Sequence, residues 1–242
     1  MADTLKPEND PMGAAILDFA KNGKARCRLK VLSSMFDDDE MEVRHLFRTP
    51  DQMPELERKA LDMATGRILD VGAGAGCHAL ALQEAGHDVT AIDISDLSCQ
   101  AMAMRGIDKV RCINLYDSTL TGPFDTILLL MNGTGIAGKV AGVPRFLLRL
   151  KELLANGGQV LIDSSDLRYV YEDEDGNLDF DPSDGYYGEV DYRMTYGKVR
   201  GERFDWLYLE FPLLQAFAQE AGLHAELVAE GDHYDYLARL YM

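Results

Sequence analysis

Between Ile68 and Gly76 the chain reads Ile-Leu-Asp-Val-Gly-Ala-Gly-Ala-Gly, and Asp93 stands seventeen positions after the last glycine. Glycines at alternate positions allow a tight turn in which a ligand approaches backbone that a Cβ would block, and the free N–H groups of a following helix face that ligand. An acidic residue at the tip of the next strand can accept both hydroxyls of a ribose. Together the turn and Asp93 describe a pocket for an adenosine-containing cofactor at the carboxyl edge of a parallel sheet. The rival reading, a purely structural turn, leaves Asp93 and the order of elements unexplained.

Two cofactor classes fit such a pocket. The spacing here is GxGxG, with Asp70 two residues ahead of Gly72, whereas dinucleotide sites favour GxGxxG with room for a pyrophosphate. A carboxylate beside the turn repels a pyrophosphate and attracts the ammonium and sulfonium of S-adenosyl-L-methionine. The sign of that charge favours the methyl donor over NAD(P). An NAD(P)-dependent oxidoreductase is the first alternative, and a catalytically inactive adenosylmethionine-binding regulatory protein the second.

The elements that hold the turn follow from periodicity. A helix is expected over residues 53–64, with Pro54 and Glu55 in its first turn. Strands at 67–74, 87–93, 109–114, 124–133 and 159–165 alternate with helices at 77–86, 98–106 and 144–158, the last ended by Asn156-Gly157-Gly158. This alternation implies a parallel sheet. Residues 189–210 alternate β-formers around Gly197 and Gly201 and read as a hairpin; a helix over 211–223 and strands over 224–231 and 234–242 close the chain. Ahead of all this, residues 1–12 read as a loose polar leader, 14–20 as a helix, and 24–34 as a short strand or a second helix.

Composition narrows the partners. Across 242 residues, 24 Lys and Arg face 41 Asp and Glu, a formal charge of −17 that repels phosphate backbones and anionic lipid headgroups. No nucleic acid and no membrane partner is therefore expected, and the highly acidic segment between Asp166 and Asp191 reads as a solvated loop. Cys27, Cys77, Cys99 and Cys112 form no CxxC pair and show no metal-ligand spacing with His, so free thiols, no metal and a cytoplasmic location are expected. The N-terminus lacks the pattern of a secretory signal, and no apolar run reaches the roughly 20 residues of a membrane span.

Through LDVGAGAGCHAL, AIDIS, FDTILLL and GGQVLID, the chain resembles the class I S-adenosylmethionine-dependent methyltransferase family over about residues 66–165. The resemblance implies an α/β, Rossmann-like, seven-stranded, mostly parallel sheet with helices on both faces and an antiparallel last strand. To this the reading adds an N-terminal helical cover over 1–65 and, within a catalytic domain at 66–242, a β-hairpin insertion at about 186–209. Gly72, Ala73, Gly74 and Gly76 would line the methionine portion of the cofactor, with Asp70 near its amino group. Asp93 would hold the ribose, Ile94, Asn114 and Leu115 would flank the adenine, and Met131, Asn132 and Gly133 would lie beside the reactive methyl. Arg48, an isolated cation next to Phe47, would pair with the cofactor carboxylate if the N-terminal segment folds over the site; the alternative is a surface ion pair.

The activity so implied is methyl transfer to a small-molecule acceptor. MNGTGIAG stands where members acting on amides and nucleobases often carry an Asn/Asp-Pro-Pro-aromatic motif, which argues against those acceptors. Direct displacement works mainly by alignment, worth on the order of 7–11 kcal/mol, so a general base is optional; His78, Asp163, Tyr186, Tyr187 and Tyr192 are the candidates. The aromatic side chains from Tyr186 to Tyr208 fit either a substrate lid or ordinary sheet packing. The acceptor, the atom methylated and the oligomeric state have no signature in the sequence.

Overall fold

The computed structural model describes residues 4–173, 177–181, 183 and 185–242; of the acidic loop, residues 174–176, 182 and 184 lie outside the described residues. The chain opens with α1 (Pro11–Asn22), β1 (Leu29–Leu32), β2 (Asp39–Met41) and α2 (Glu55–Met63). The first half of the parallel sheet follows as β3 (Arg67–Val71), α3 (Cys77–Glu84), β4 (Asp88–Asp93), α4 (Asp96–Met104) and β5 (Val110–Cys112). Next come β6 (Phe124–Leu129), α5 (Val143–Leu153) and β7 (Leu154–Ser165), then β8 (Glu189–Tyr196), β9 (Val199–Arg200) and β10 (Phe204–Leu207). Finally α6 (Phe211–Glu220), β11 (His224–Glu230) and β12 (Asp235–Tyr241) complete the chain.

Seven strands form the main sheet in the order β11-β12-β7-β6-β3-β4-β5. Pairing from β7 to β5 is parallel throughout, and β12 runs antiparallel to both neighbours. Neighbouring residues of each strand point to opposite faces, so Leu69, Ile127 and Ile162 pack on α5 and α6 while Ile68, Leu128 and Leu161 pack on α2, α3 and α4. Being covered on both faces explains why β6 is apolar through Ile127, Leu128 and Leu129. Chain order reverses between β3 and β6, which opens a crevice at their carboxyl ends. No helix among the described residues is long and apolar enough to cross a membrane.

Three expectations change. The cover is not purely helical: β1 and β2 join β8, β9 and β10 in a second, antiparallel sheet of order β10-β8-β1-β2, with β9 on β8. Residues 24–34 become a strand because β8, more than 150 positions downstream, supplies its partner: Leu29 pairs with Tyr196 and both bury against Ala15 of α1. Asp18 fastens α1 to this sheet, accepting from Arg26 N at 2.8 Å, from Arg26 Nε at 2.6 Å and from the Tyr196 hydroxyl. The helix expected to run to Gly158 stops at Leu153. Leu154 pairs with Phe124 in β7 and Gln159 with Thr126, so Ala155 to Gly158 loop out as a bulge in which Gly157 has φ +77°.

The leader is not loose from Thr4 onward. Leu5 N donates to Ile94 O at 2.8 Å, and Asp10 caps α1 by accepting from Gly13 N at 2.8 Å. The Ser95 hydroxyl donates to that same carboxylate while its oxygen accepts from Ser98 N at 2.9 Å, capping α4. Two helix starts are thus locked face to face, and the polarity that reads as a loose tail is capping chemistry. A Cβ on Gly13 would stand 2.1 Å from Asp10 Oδ2 and 2.2 Å from Ser95 Oγ. Gly→Ala in a helix ordinarily stabilises by up to about 1 kcal/mol. Gly13→Ala is expected instead to destabilise by about 1–2 kcal/mol, the worth of a broken cap, in urea denaturation; a stabilised variant would refute this account of the junction.

Candidate active site

The glycine turn emerges from β3 with Gly72, Gly74 and Gly76 at φ of +69°, +57° and +75°, a region that L side chains rarely adopt. Gly72 N and Ala73 N both donate to Ile92 O at 3.0 Å. Asp93 Oδ2 accepts from Gly74 N at 2.8 Å and its Oδ1 from Ser95 N at 2.8 Å, so one carboxylate ties the turn to the start of α4. Burial pushes its pKa up to about 6 despite these two bonds. A Cβ on Gly72 or Gly74 would meet nothing nearer than Ile136 Cδ1 at 3.6 Å and Ile16 Cδ1 at 3.9 Å, leaving room beside the turn. Gly76 is a matter of packing instead. A Cβ there would stand 2.3 Å from Ile107 Cδ1 and 2.9 Å from Met102 Cγ, so its absence lets α3 pack on α4.

Asp70 is buried, and among the described residues its Oδ2 has no hydrogen-bond partner. Burial raises its pKa, and His78 and the Ala79 N–H pull the other way. A buried carboxylate oxygen without a donor carries a desolvation penalty of about 1–3 kcal/mol or more, and a cationic donor placed in the turn would remove it. The open turn and this orphaned oxygen fit the aminoacyl end of S-adenosylmethionine.

Beside Asp70 runs a chain of buried charges. Arg48 Nη2 donates to both Glu57 oxygens at 2.6 and 2.7 Å, and His78 Nε2 donates to Glu57 Oε2 at 2.8 Å. Burial works against a charged imidazole, yet hydrogen bonds with Cys77 and Glu57 outweigh it and raise the His78 pKa well above its ordinary value. Arg48 therefore forms an ion pair, but a buried one, and its Nε is buried with no partner. Glu57 has no place in the expected site. Its spacing of three, four and seven from Ala60, Leu61 and Ala64 puts an acid on the helix's apolar face, and that was the available signal.

At the end of β6, Met131 and Asn132 hold φ of +67° and +63°, strained for residues other than glycine. Asp163 holds them there: it accepts from Met131 N and Gly133 N at 3.0 Å each. Burial pushes the Asp163 pKa up to about 6. The Asn132 side chain is also committed, donating to Leu207 O at 3.0 Å and accepting from Ser164 Oγ at 2.8 Å, so it joins this loop to β10. Asn114 Oδ1 accepts from Tyr116 N at 2.9 Å, and Leu115 is buried beside it. Tyr187 donates to Glu210 Oε2 at 2.5 Å and lies 2.9 Å from Asp166 Oδ1; burial pushes Tyr186 up to about 12 and raises Tyr192, whose hydroxyl is 3.1 Å from that of Tyr208. These phenols keep their protons at neutral pH.

Next to Asp163, the end of β7 at Ser165 opens into a cavity of about 690 Å³, bounded by the start of α2, the start of β12, and Tyr192 and Tyr208 of the second sheet. Such a volume suits a small molecule. A methyltransferase-domain family model matches residues 69–162. The crystal structure of a S-adenosylmethionine-dependent methyltransferase from Bacteroides fragilis, in complex with S-adenosyl-L-homocysteine, is 55% identical and superposes with a TM-score of 0.93 over 99% of this chain and 98% of that one.

The chain belongs to the S-adenosylmethionine-dependent methyltransferases. This methyltransferase also shares its fold with the CcbJ methyltransferase from Streptomyces caelestis, at 14% identity and a TM-score of 0.63 over 98% of this chain and 99% of that one. No curated protein matches its sequence. The family assignment removes the NAD(P)-dependent alternative. For the methyltransferase's loop, Asp163→Ala strands two N–H groups beside two left-handed residues; a loss of about 2–4 kcal/mol is expected from these together. Equal urea midpoints for variant and wild type would show that Asp163 does not hold the loop.

Proposed function

We propose that the methyltransferase holds S-adenosylmethionine in the glycine turn and methylates a small-molecule acceptor that enters the cavity beside Ser165. The observation that carries this reading is the partnerless Asp70 Oδ2 beside a turn with open space. Asp70 takes the cofactor's ammonium, Gly72, Ala73 and Gly74 line its methionine portion, and Gly76 shapes the turn through its packing. Arg48 offers its free Nε to the carboxylate, while Glu57 fixes the rest of the guanidinium. Asp93 accepts from the ribose hydroxyls, with Ile94, Asn114 and Leu115 around the adenine.

When bound, the cofactor supplies a methyl group on a sulfonium that an acceptor lone pair takes by direct displacement. The backbone of Met131, Asn132 and Gly133, held rigid by Asp163, lines the reacting centre, and rigid placement is what displacement needs most. No general base is assigned. His78 is held in an ion pair, Asp163 is committed to backbone N–H groups, and the tyrosines retain their protons. The net charge of −17 supports a free small molecule over a nucleic acid as acceptor, and four free cysteines support a cytoplasmic location. Residues 1–65 serve as the cover of a catalytic domain at 66–242, joined to its insertion through the second sheet.

Calorimetry with S-adenosylhomocysteine tests the pocket. Hydroxyl donors stabilise the ionised Asp93, whose pKa is about 6 against an ordinary 3.8, so affinity is expected to rise as pH climbs through 6, with proton release in that window. Asp93→Ala is expected to weaken binding by about a hundredfold, two hydrogen bonds to a charged group at about 1.5 kcal/mol each, and to abolish the pH dependence. Unchanged affinity in the variant would reject the assignment of Asp93.

A further inference from the structure

The cavity beside Ser165 has a distinct chemistry. Its walls carry the rings of Phe36, Tyr192 and Tyr208 with the aliphatic side chains of Leu56 and Leu167, and its lining includes four carboxylates, Glu55, Glu230, Asp232 and Asp235. Among the described residues no Lys or Arg lines it, and the single basic side chain is His233. Asp235 uses Oδ1 to accept from His233 N at 3.0 Å. The Tyr192 and Tyr208 hydroxyls, 3.1 Å apart, share one hydrogen bond and keep lone pairs to offer.

We infer that the acceptor bound in this cavity is a small molecule carrying a protonated amine on an apolar or aromatic body. This rests on the reading that the acceptor enters beside the cofactor turn. Rings present negative faces to a cation, each worth about 0.5–2 kcal/mol depending on desolvation, and the carboxylates add attraction that salt partly screens. The aromatic and aliphatic walls, independent of those carboxylates, cover the body of the ligand. An anionic acceptor would enter a negative field with no guanidinium or ammonium to receive it.

The test is calorimetry on the full chain saturated with S-adenosylhomocysteine, using 2-phenylethylamine and phenylacetate as probes that differ mainly in the sign of their charge. The amine is expected to bind at least about tenfold tighter, equivalent to 1.4 kcal/mol. Glu230→Gln combined with Asp232→Asn, both exposed positions, should weaken the amine several-fold, and Tyr192→Leu should do so independently of salt. Phenylacetate binding as tightly as the amine, amine affinity indifferent to these substitutions, or neither probe binding to the saturated protein would each overturn the inference. Failure of S-adenosylhomocysteine itself to bind would instead overturn the cofactor reading beneath it.

Discussion

The site depends on one carboxylate, Asp93, whose two oxygens accept from Gly74 N and Ser95 N. Those two bonds set the glycine turn against the start of α4, and Ser95 carries the connection onward to Asp10 and the cap of α1. The N-terminal cover is thereby referenced to the same point as the glycine turn. Ile16 of α1 comes close to the missing Cβ of Gly74, and Arg105 of α4 donates to Ala75 O at 2.5 Å while lying over the Phe47 ring. Cover, turn and α4 form one packed unit.

Charge is distributed in that unit with a purpose visible in its imbalance. Asp10, Asp70 and Asp93 all lie near the turn, and burial raises the pKa of each. Of the cations at hand, Arg48 and His78 are engaged with Glu57 and Arg105 donates to Ala75 O. What results is a concentration of negative potential at an open turn, the electrostatic form of a site for a cationic ligand. The same sign extends to the carboxylates of the neighbouring cavity.

The second sheet forms a layer apart from the sheet that carries the glycine turn. Strands from residues 29–41 and 189–207 pair over one end of the molecule, and Asn132 and Thr134 connect that layer to the loop after β6 by donating to Leu207 O. The aromatic residues of the insertion serve two roles. Tyr187 and Val190 pack with Leu167 into a small core, and Tyr192 and Tyr208 both pack against that core and line the cavity.

Local signals carried the cofactor half of the molecule. Glycines at alternate positions, an acid at the tip of β4 and apolar runs bounded by turn residues are short-range facts, because a tight turn, a helix start and a buried parallel strand each impose composition on fewer than a dozen neighbouring residues. Contacts between distant segments were decided by tertiary structure. β1 is a strand because Leu29 meets Tyr196, the leader is ordered because Asp10 meets Ser95, and Asp163 and Glu57 matter because folding surrounds them with N–H groups and cations. Apart from Glu57 on the apolar face of its helix, none of these residue types is unusual where it stands. Their roles arise when burial removes water and leaves one partner within reach, and the sequence by itself does not specify that partner.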